Sequence, residues 1–272
     1  MSASVSAPRL SVIVPALDEA AALGALLDDV ARLRVPHEVI VVDGGSRDDT
    51  LALAERRGAT VLRTTRGRGT QLRAGAEVAR GAVLCFLHAD VRLPVAARET
   101  LEKLAARDGV DAWAFRLKID GPRWGYRLVE WSANVRSSLL ALPYGDQGLV
   151  IGRELYDGVG GFADVPLMED VLIARALQIV GGIALLPTAI VVSPRRWERD
   201  GLVRRSIRNL WLLVRFLAGA SPAALAGAYE PQSLAGDGLH RREAGGSTGG
   251  IGAEHQADGD GGADRERGGG EV

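Results

Sequence analysis

Short apolar runs rich in β-branched residues alternate with longer stretches rich in alanine and leucine through the first third of the chain. Strand and helix repeat about every 25 residues, which is typical of βαβ units and a mostly parallel sheet. Because the strands are continuously apolar, we expect helices to cover both faces of a doubly wound α/β sheet. The predicted strands are Leu10–Pro15, Glu38–Asp43, Thr60–Arg63 and Val83–Leu87, with helices at Glu19–Leu33, from Asp48 onwards and at Thr70–Ala79.

The alternation is less regular after Pro94, and no internal repeat of 20 to 50 residues is visible. The second half therefore adds to the same α/β domain rather than repeating it. Helices are predicted at Val95–Ala106, Arg123–Leu140, Glu169–Ile179 and Leu202–Ala218. Strands are predicted at Asp111–Ile119, Gln147–Ile151 and Ile183–Val192, with Pro187 interrupting the last.

The net charge, the cysteine count and the lack of long apolar runs exclude several classes of protein. The 272 residues carry a net charge of −1, whereas a general nucleic-acid binder normally has a strong basic excess. A single cysteine, Cys85, excludes a disulfide scaffold and suits a reducing cytosol. Residues Met1–Pro8 lack the apolar stretch of a signal peptide, and no run of about 18 uncharged apolar residues occurs. We therefore expect a cytoplasmic protein without an integral membrane span.

The last 40 residues differ from the rest. Residues 233–272 hold 13 of the 35 glycines, eight acids and four arginines, and lack aromatic side chains. This stretch cannot bury enough apolar surface to offset the entropy of ordering, so it is predicted to be a disordered, acidic tail. The remaining domain, residues 1–232, carries 29 basic and 26 acidic side chains. We expect this domain to have two parts, at about 9–110 and 111–218.

Candidate chemistry follows each strand of the first half. In an open parallel sheet, ligands bind at the carboxyl ends of the strands, near the switch in strand order. The four segments that follow the strands bring acids, arginines, a histidine and glycines to this edge. They are Pro15-Ala-Leu-Asp-Glu19, Asp43-Gly-Gly-Ser46, Arg66-Gly-Arg-Gly69 and His88-Ala-Asp90. Each alone is a common loop or helix cap, but together they predict one site.

In order and spacing, these segments resemble glycosyltransferase family 2 over about residues 9–217. The resemblance rests on Ser11–Glu19, Val41–Ser46 and Phe86–Asp90, and on the later Gly160-Gly-Phe162, Met168-Glu-Asp170 and Arg195-Arg-Trp197. It implies a GT-A fold with a nucleotide-sugar half at about 9–110 and an acceptor half at 111–218. It also implies transfer of a sugar from a nucleoside diphosphate to an acceptor hydroxyl, usually with inversion.

The resemblance places Pro15, Ala16 and Glu19 around the nucleoside and makes Asp43 an acceptor from the base, with a UDP-sugar favoured. The alternative for Asp43 is a cap on the turn after its strand. Gly44 stands where the family often has a second aspartate. Arg68, at a helix N-terminus, could pair with a diphosphate as a fork-shaped donor, or could belong to an exposed basic loop.

His88-Ala-Asp90 stands where the family usually has Asp-x-Asp. A divalent cation, Mg²⁺ or Mn²⁺, is typically held by one or two carboxylates together with the phosphates. Asp90 suits this role, whereas His88 either tilts the site towards Mn²⁺ or leaves Asp90 as the sole protein ligand. The alternative for His88 is a packing role.

Several second-half residues complete the expected site. By resemblance, Asp170 is the base that takes the acceptor proton and Glu169 orients it, although acids also stabilise a helix N-terminus. Arg196 could stabilise the departing diphosphate, and Trp197 could stack on a sugar. Asp146 and Gln147 could contact donor or acceptor, or form a polar turn.

The predicted helix at 202–218 combines arginines with leucine and aromatic residues. Such a helix can lie on an anionic membrane at its inner face, which would suit a lipid-linked acceptor, or pack on the core with a solvated face.

Two rival functions differ in kind. A nucleotidyltransferase would need a glycine-rich loop with a lysine directly after the first strand, where Pro15-Ala-Leu-Asp-Glu19 stands instead. A non-catalytic nucleotide-binding module would bind a nucleoside diphosphate without transferring a sugar.

Overall fold

Eight strands form one mixed sheet within residues 7–109 and 111–229, which are the residues that the computed structural model describes. The predicted tail at 233–272 lies outside them. The strands are β1 Leu10–Ala16, β2 His37–Asp43, β3 Thr60–Arg63, β4 Val83–Phe86, β5 Val91–Arg92, β6 Ala112–Ile119, β7 Leu149–Gly152 and β8 Ile183–Val192. The helices are α1 Ala20–Val30, α2 Thr50–Arg56, α3 Arg68–Val78, α4 Val95–Ala105, α5 Trp124–Leu140, α6 Arg153–Gly158, α7 Glu169–Ile179, α8 Arg195–Asp200, α9 Leu202–Leu217 and α10 Pro222–Tyr229.

The strand order is β3-β2-β1-β4-β7-β6-β8-β5. Strands β1 to β4 are mutually parallel where they pair, β7 runs antiparallel to both of its neighbours, and β6 pairs parallel with β8. From β1 the chain moves outward through β2 to β3 and then returns to the other side of β1 as β4. This reversal of strand order lies between β1 and β4, where ligands of such sheets bind at the carboxyl ends.

Helices cover both faces of the sheet, as the apolar strands predicted. On β1, Val12 and Val14 pack in one buried cluster with residues of α1 and α4, whereas Ile13 packs in another with residues of α3 and α7. Successive strand side chains point to opposite faces, so a strand buried on both sides is apolar at every position. Strands from both predicted halves share this sheet.

Two predicted strands differ in detail. Gly145–Gln147 form a turn of 3₁₀ helix, so β7 begins at Leu149 and not at Gln147. Pro187 does not end β8, because the pairing with β6 shifts from Ala114–Leu185 to Arg116–Ala189 and leaves the proline within the irregularity. Proline lacks an N–H for the ladder and is tolerated at such a bulge.

Candidate active site

The ends of β1 and β2 lie side by side, with Ala16 opposite Asp43. The Asp43 carboxylate is buried and accepts hydrogen bonds from the backbone N–H groups of Gly45, at 3.0 Å, and Ser46, at 3.1 Å. The Ala16 carbonyl accepts the Gly44 N–H at 2.9 Å. Asp43 therefore shapes the turn after β2, which is the cap alternative; its contact with a nucleoside base stays a prediction.

Gln71, on α3, joins these two strand ends and was not singled out in the sequence. Its side-chain amide Nε2 donates to the carbonyls of Ala16, at 2.9 Å, and Val42, at 2.7 Å. A Cβ placed on Gly44 would lie 3.2 Å from the Gln71 side chain. Any larger residue at position 44 would therefore require the Gln71 side chain to shift by a few tenths of an ångström.

Two acids and two arginines meet across the switch between β1 and β4. Glu19 follows β1, Asp90 follows β4, and Arg195 and Arg196 begin α8. Arg195 pairs with Glu19, while the Arg196 Nε lies 3.3 Å from the Asp90 Oδ2 and its Nη2 lies 3.6 Å from the Glu19 Oε1. Both carboxylates are largely buried, so their charges are balanced by guanidinium groups 105 or more positions away in the chain.

His88 is buried, and its Nε2 has no hydrogen-bond partner among the described residues. Burial, together with the positive charges of Arg68, Arg196 and Arg205, holds the pKa of the imidazole well below its usual range. The ring is therefore neutral at physiological pH. A Cβ on Gly145 would lie 2.8 Å from Nε2 and 3.8 Å from the Asp170 Oδ2, so His88 and Asp170 both approach this glycine.

The first turn of α3 packs against the segment that leads into α7. Arg68 pairs with the fully buried Glu169. A Cβ on Gly69 would overlap the carbonyl oxygen of Ala163, so only glycine permits this approach. The pKa of Glu169 is raised above its usual value by burial and by the Asp170 charge, and the Arg68 charge offsets only part of this rise. Arg68 thus positions the helix that carries both acids.

Asp170 lies in the first turn of α7, and its Oδ2 accepts the Gly145 N–H at 3.0 Å. The preceding Met168 has a left-handed backbone with φ of 69°, which is uncommon for a side chain of this size. Such conformations cluster at functional sites because the surrounding structure must hold them in place. The strained residue therefore fixes where α7 begins and where Asp170 points.

Asp170 and His88 line two adjoining cavities, a smaller and a larger one. The smaller has an apolar lining, whereas the larger also has Asp146, Arg196, Arg205 and Asn209 in its wall. The Asp146 Oδ1 is buried and has no hydrogen-bond partner among the described residues, and burial raises the pKa of this carboxyl despite the nearby Arg136. The larger cavity thus presents hydrogen-bonding groups, a candidate base and positive charge to one ligand.

The wall of the larger cavity also contains three residues that the sequence analysis did not assign to the site, namely Arg205, Asn209 and Leu212. They are spaced four and three residues apart on α9, which places them on one face of the helix. The spacing is visible in the sequence, but it does not show which face of the helix turns towards the site.

Seven candidate residues do not line these cavities. Five of them belong to the predicted nucleoside and metal end, namely Pro15, Ala16, Glu19, Asp43 and Asp90. The other two, Gln147 and Trp197, are held elsewhere by contacts of their own. Gln147 is fully buried; its Oε1 accepts from the Ser137 hydroxyl at 2.6 Å, and its Nε2 donates to the Phe115 carbonyl at 3.1 Å. Trp197 packs in the core, with the Arg205 guanidinium 5.7 Å from its ring centre. These contacts tie Gln147 to α5 and β6 and place Trp197 away from an open sugar-binding wall.

The donor groups present fit a divalent cation that a diphosphate helps to hold. Within the described residues, no group of three His, Cys, Asp or Glu side chains could hold a metal. A hard cation that keeps phosphate and water ligands needs only one or two carboxylates, which Asp90 can supply. Positive charge surrounds both candidate ligands, because Arg68, Arg196 and Arg205 act on His88 and Arg196 also lies 3.3 Å from the Asp90 Oδ2. Asp90 is favoured over His88 because its carboxylate supplies the negative charge and the oxygen ligand that such a cation prefers.

Comparison with known proteins identifies the family. The family model described as glycosyl transferase family 2 matches residues 11–163, which is more than half of the chain. The chain belongs to this family. A curated relative, the PGL/p-HBAD biosynthesis glycosyltransferase of Mycobacterium bovis (strain BCG / Pasteur 1173P2), is 37% identical over 110 residues, covering 38% of this chain and 42% of the relative. The match thus spans about two fifths of that relative's length.

Solved structures show that this family 2 glycosyltransferase has the GT-A fold. A mannosyltransferase from Pyrobaculum calidifontis, in complex with GDP-Man and Mn²⁺, aligns with a TM-score of 0.59 and 23% identity, covering 82% of this chain and 70% of that one. Glucosyl-3-phosphoglycerate synthase from Mycobacterium tuberculosis, in complex with Mn²⁺, UDP and glucosyl-3-phosphoglycerate, aligns with a TM-score of 0.51 and 21% identity, covering 75% and 79%. The predicted fold and family are confirmed.

Proposed function

We propose that the enzyme transfers a sugar from a nucleoside diphosphate, with UDP favoured, to an acceptor hydroxyl, with inversion at the sugar carbon. The observation that carries the proposal is the position of Arg196. Its guanidinium pairs with Asp90 after β4 and also lines the larger cavity with Asp170. A donor diphosphate near Asp90 would therefore direct its sugar towards the candidate base.

In the proposed reaction, Asp170 takes the proton of the acceptor hydroxyl as its oxygen attacks the sugar carbon. The bond from that carbon to the diphosphate oxygen breaks, and the nucleoside diphosphate leaves with the electron pair. A single displacement of this kind inverts the carbon. Arg195 and Arg196 stabilise the charge that develops on the leaving group.

We propose that Asp90 is the protein ligand of Mg²⁺ or Mn²⁺ and that His88, which lines both cavities, does not bind the cation. When bound, the cation neutralises negative charge on the diphosphate and so lowers the barrier to its departure. The Mn²⁺ in the two similar structures named above supports a divalent cation in the site. Pro15, Ala16, Glu19 and Asp43 form the proposed nucleoside end.

We further propose that the acceptor is lipid-linked and is met at the inner face of a membrane. The support is the two-sided character of α9. One face of this helix lines the larger cavity, and the other exposes apolar side chains.

A hydrolysis screen tests the reaction without requiring the acceptor. The protein is incubated with UDP- and GDP-sugars and either Mg²⁺ or Mn²⁺, and the release of nucleoside diphosphate is measured. We expect metal-dependent release that Asp90→Asn abolishes. Binding without release across the panel would indicate a nucleotide-binding module, and pyrophosphate release from a nucleoside triphosphate and a sugar phosphate would indicate a nucleotidyltransferase; either contradicts the proposal.

A further inference from the structure

An apolar stripe runs along the outer face of α9. Its five members are 52–66% exposed and are spaced four and three residues apart, which places them on one side of the helix. They are Val203, Ile207, Leu210, Val214 and Leu217. Leu212, Leu213 and Phe216, on the inner side, are buried in the core. The helix is therefore core-packed, but its outer face is apolar rather than simply solvated.

Helix α5 extends this apolar surface. Its first half exposes Trp124, Leu128 and Trp131, of which Trp124 is 81% exposed. A Cβ on Gly125 would lie 2.7 Å from the Leu202 side chain, so the first turn of α9 packs directly against the first turn of α5. We call the outer residues of α9 together with these three α5 residues the α5–α9 face.

The charges on this face are basic. Helix α9 contains four arginines and no acidic residue. Arg204 and Arg215 are exposed, and the Arg215 guanidinium lies 4.9 Å from the centre of the Trp211 ring. At the α5 end, Arg123 is also exposed, and the exposed Arg127 pairs with Glu130 at 2.9 Å. Apolar, tryptophan and arginine side chains side by side are the composition that binds the interface of an anionic bilayer.

A second copy of the chain is a poorer occupant of the face. In a two-fold dimer the same patch meets itself, so the arginines of one α9 would face those of the other. Because the helix carries no acid, these charges would repel rather than pair. An anionic lipid surface supplies the opposite charge and covers the apolar stripe.

The helix lies along a bilayer rather than across it. Among residues 7–109 and 111–229, no helix is long and apolar enough to cross a membrane. At 1.5 Å per residue, the 16 residues of α9 are about 24 Å long, which is short of the roughly 30 Å hydrocarbon core.

We propose that the α5–α9 face binds the surface of an anionic lipid bilayer. The opposite face of α9, with Arg205 and Asn209, lines the larger cavity, so docking places that cavity beside the lipid headgroups. The link from this docking to a lipid-linked acceptor rests on the proposed function. Binding to the bilayer itself does not, because it needs no catalysis.

Vesicle binding tests the proposal directly. The full chain is sedimented with vesicles of phosphatidylcholine alone and with vesicles that also contain about 30% phosphatidylglycerol. We expect binding to the anionic vesicles only, weakened by salt. Arg204→Gln should lower the partition coefficient about fivefold, since one basic residue near an anionic surface contributes about 1 kcal/mol. Arg63→Gln, at an exposed arginine on β3, should leave it unchanged.

Two exposed isoleucines, one on the α5–α9 face and one elsewhere, test the contribution of apolar contacts to bilayer binding. Ile207→Ser, on the face, should reduce binding at least fivefold, whereas Ile179→Ser, at an 86% exposed isoleucine at the end of α7, should not. Equal thermal unfolding of the variants shows that folding is intact. Absence of anionic binding, equal loss in both isoleucine variants, or a dimer in sedimentation velocity that only Ile207→Ser dissolves would each overturn the proposal. Nucleotide-sugar hydrolysis by Ile207→Ser should stay normal, which separates failure of docking from failure of the proposed reaction.

Discussion

Asp170 is held in place by backbone rather than by another charged side chain. Its Oδ2 accepts the Gly145 N–H at 3.0 Å, and its Oδ1 accepts the Val171 N–H at 2.8 Å. The neighbouring Glu169 is the acid that Arg68 neutralises. The two adjacent acids therefore have different roles. Glu169 is held in an ion pair with Arg68, whereas Asp170 faces the larger cavity.

Asp170→Asn should reduce the kcat of transfer about 10²- to 10⁴-fold, which is the usual contribution of a general base. Asparagine is nearly the same size and can still accept the Gly145 N–H, so the dissociation constant of the nucleoside diphosphate should not change. Turnover and calorimetric binding measure the two quantities. Asp157→Asn, at an exposed aspartate on α6, is the control. An Asp170→Asn enzyme with normal kcat would remove this residue from the mechanism.

The sequence showed which side chains follow each strand, but not where each one points. Asp170, His88 and Asp146 line the larger cavity because each lies in a loop or first turn at the predicted edge. Gln147, next to Asp146, turns the other way because the 3₁₀ turn directs its amide to Ser137 and Phe115. A local pattern cannot specify such a turn, since its hydrogen-bond partners lie on other elements.

At the scale of elements, the strands of the first half were predictable because each is a continuous apolar run. The direction of β7 was not, because pairing with β4 and β6 is set by tertiary structure. The two-residue β5 is too short to produce a pattern and exists through its pairing with β8. The contact of α3 with the segment before α7 is likewise long-range.

Gly69→Ala tests that contact. The added methyl would overlap the Ala163 carbonyl, so α3 and the segment that carries Glu169 and Asp170 must separate. We expect at least about tenfold lower kcat/KM, because displacement of a catalytic group by about 1 Å is costly. Gly158→Ala, where a Cβ would meet nothing within 4 Å, should be active. Normal kinetics in Gly69→Ala would show that the segment tolerates separation.

Asp200 joins α8 to α9 and makes stability depend on pH. Its carboxylate accepts hydrogen bonds from Arg199, Arg205 and Arg208, and these arginines lower its pKa from 3.8 to about 2. Because the folded-state pKa is the lower one, the stabilisation is complete above about pH 4 and is lost as pH falls towards 2.

Asp200→Asn should therefore lower the free energy of unfolding by about 1–2 kcal/mol at pH 7, after allowance for solvent screening. Urea unfolding at pH 7 and at successively lower pH measures the difference, which should shrink as pH approaches 2. Asp111→Asn, at an exposed aspartate, should show neither effect. A difference that persists unchanged at low pH would mean that packing, and not charge, is what the carboxylate contributes.

At the scale of the whole molecule, the net charge of −1 combines two parts of opposite sign. Residues 1–232 have a basic excess of three, and residues 233–272 have an acidic excess of four. Every residue proposed for the site lies in the first part. We propose that the second part is a separate appendage of the catalytic domain.

Removal of residues 233–272 should leave hydrolysis kinetics and the unfolding temperature unchanged. Removal from residue 218 onwards should destabilise the domain, because it also removes Leu225, a fully buried residue of α10. Steady-state kinetics and calorimetry of both truncations provide the comparison. Loss of activity in the shorter deletion would show that the last 40 residues contribute to the site.

The four-residue network of Glu19, Asp90, Arg195 and Arg196 has a consequence for the order of events at the site. Each buried carboxylate already has its own counter-ion, so the resting site is electrically balanced. A ligand that carries only negative charge would draw the arginines away and leave the carboxylates of Glu19 and Asp90 without a counter-ion. A nucleoside diphosphate that arrives with a divalent cation brings both signs and allows all partners to be exchanged at once. We therefore expect the site to bind the nucleoside diphosphate and the cation together more tightly than either component alone.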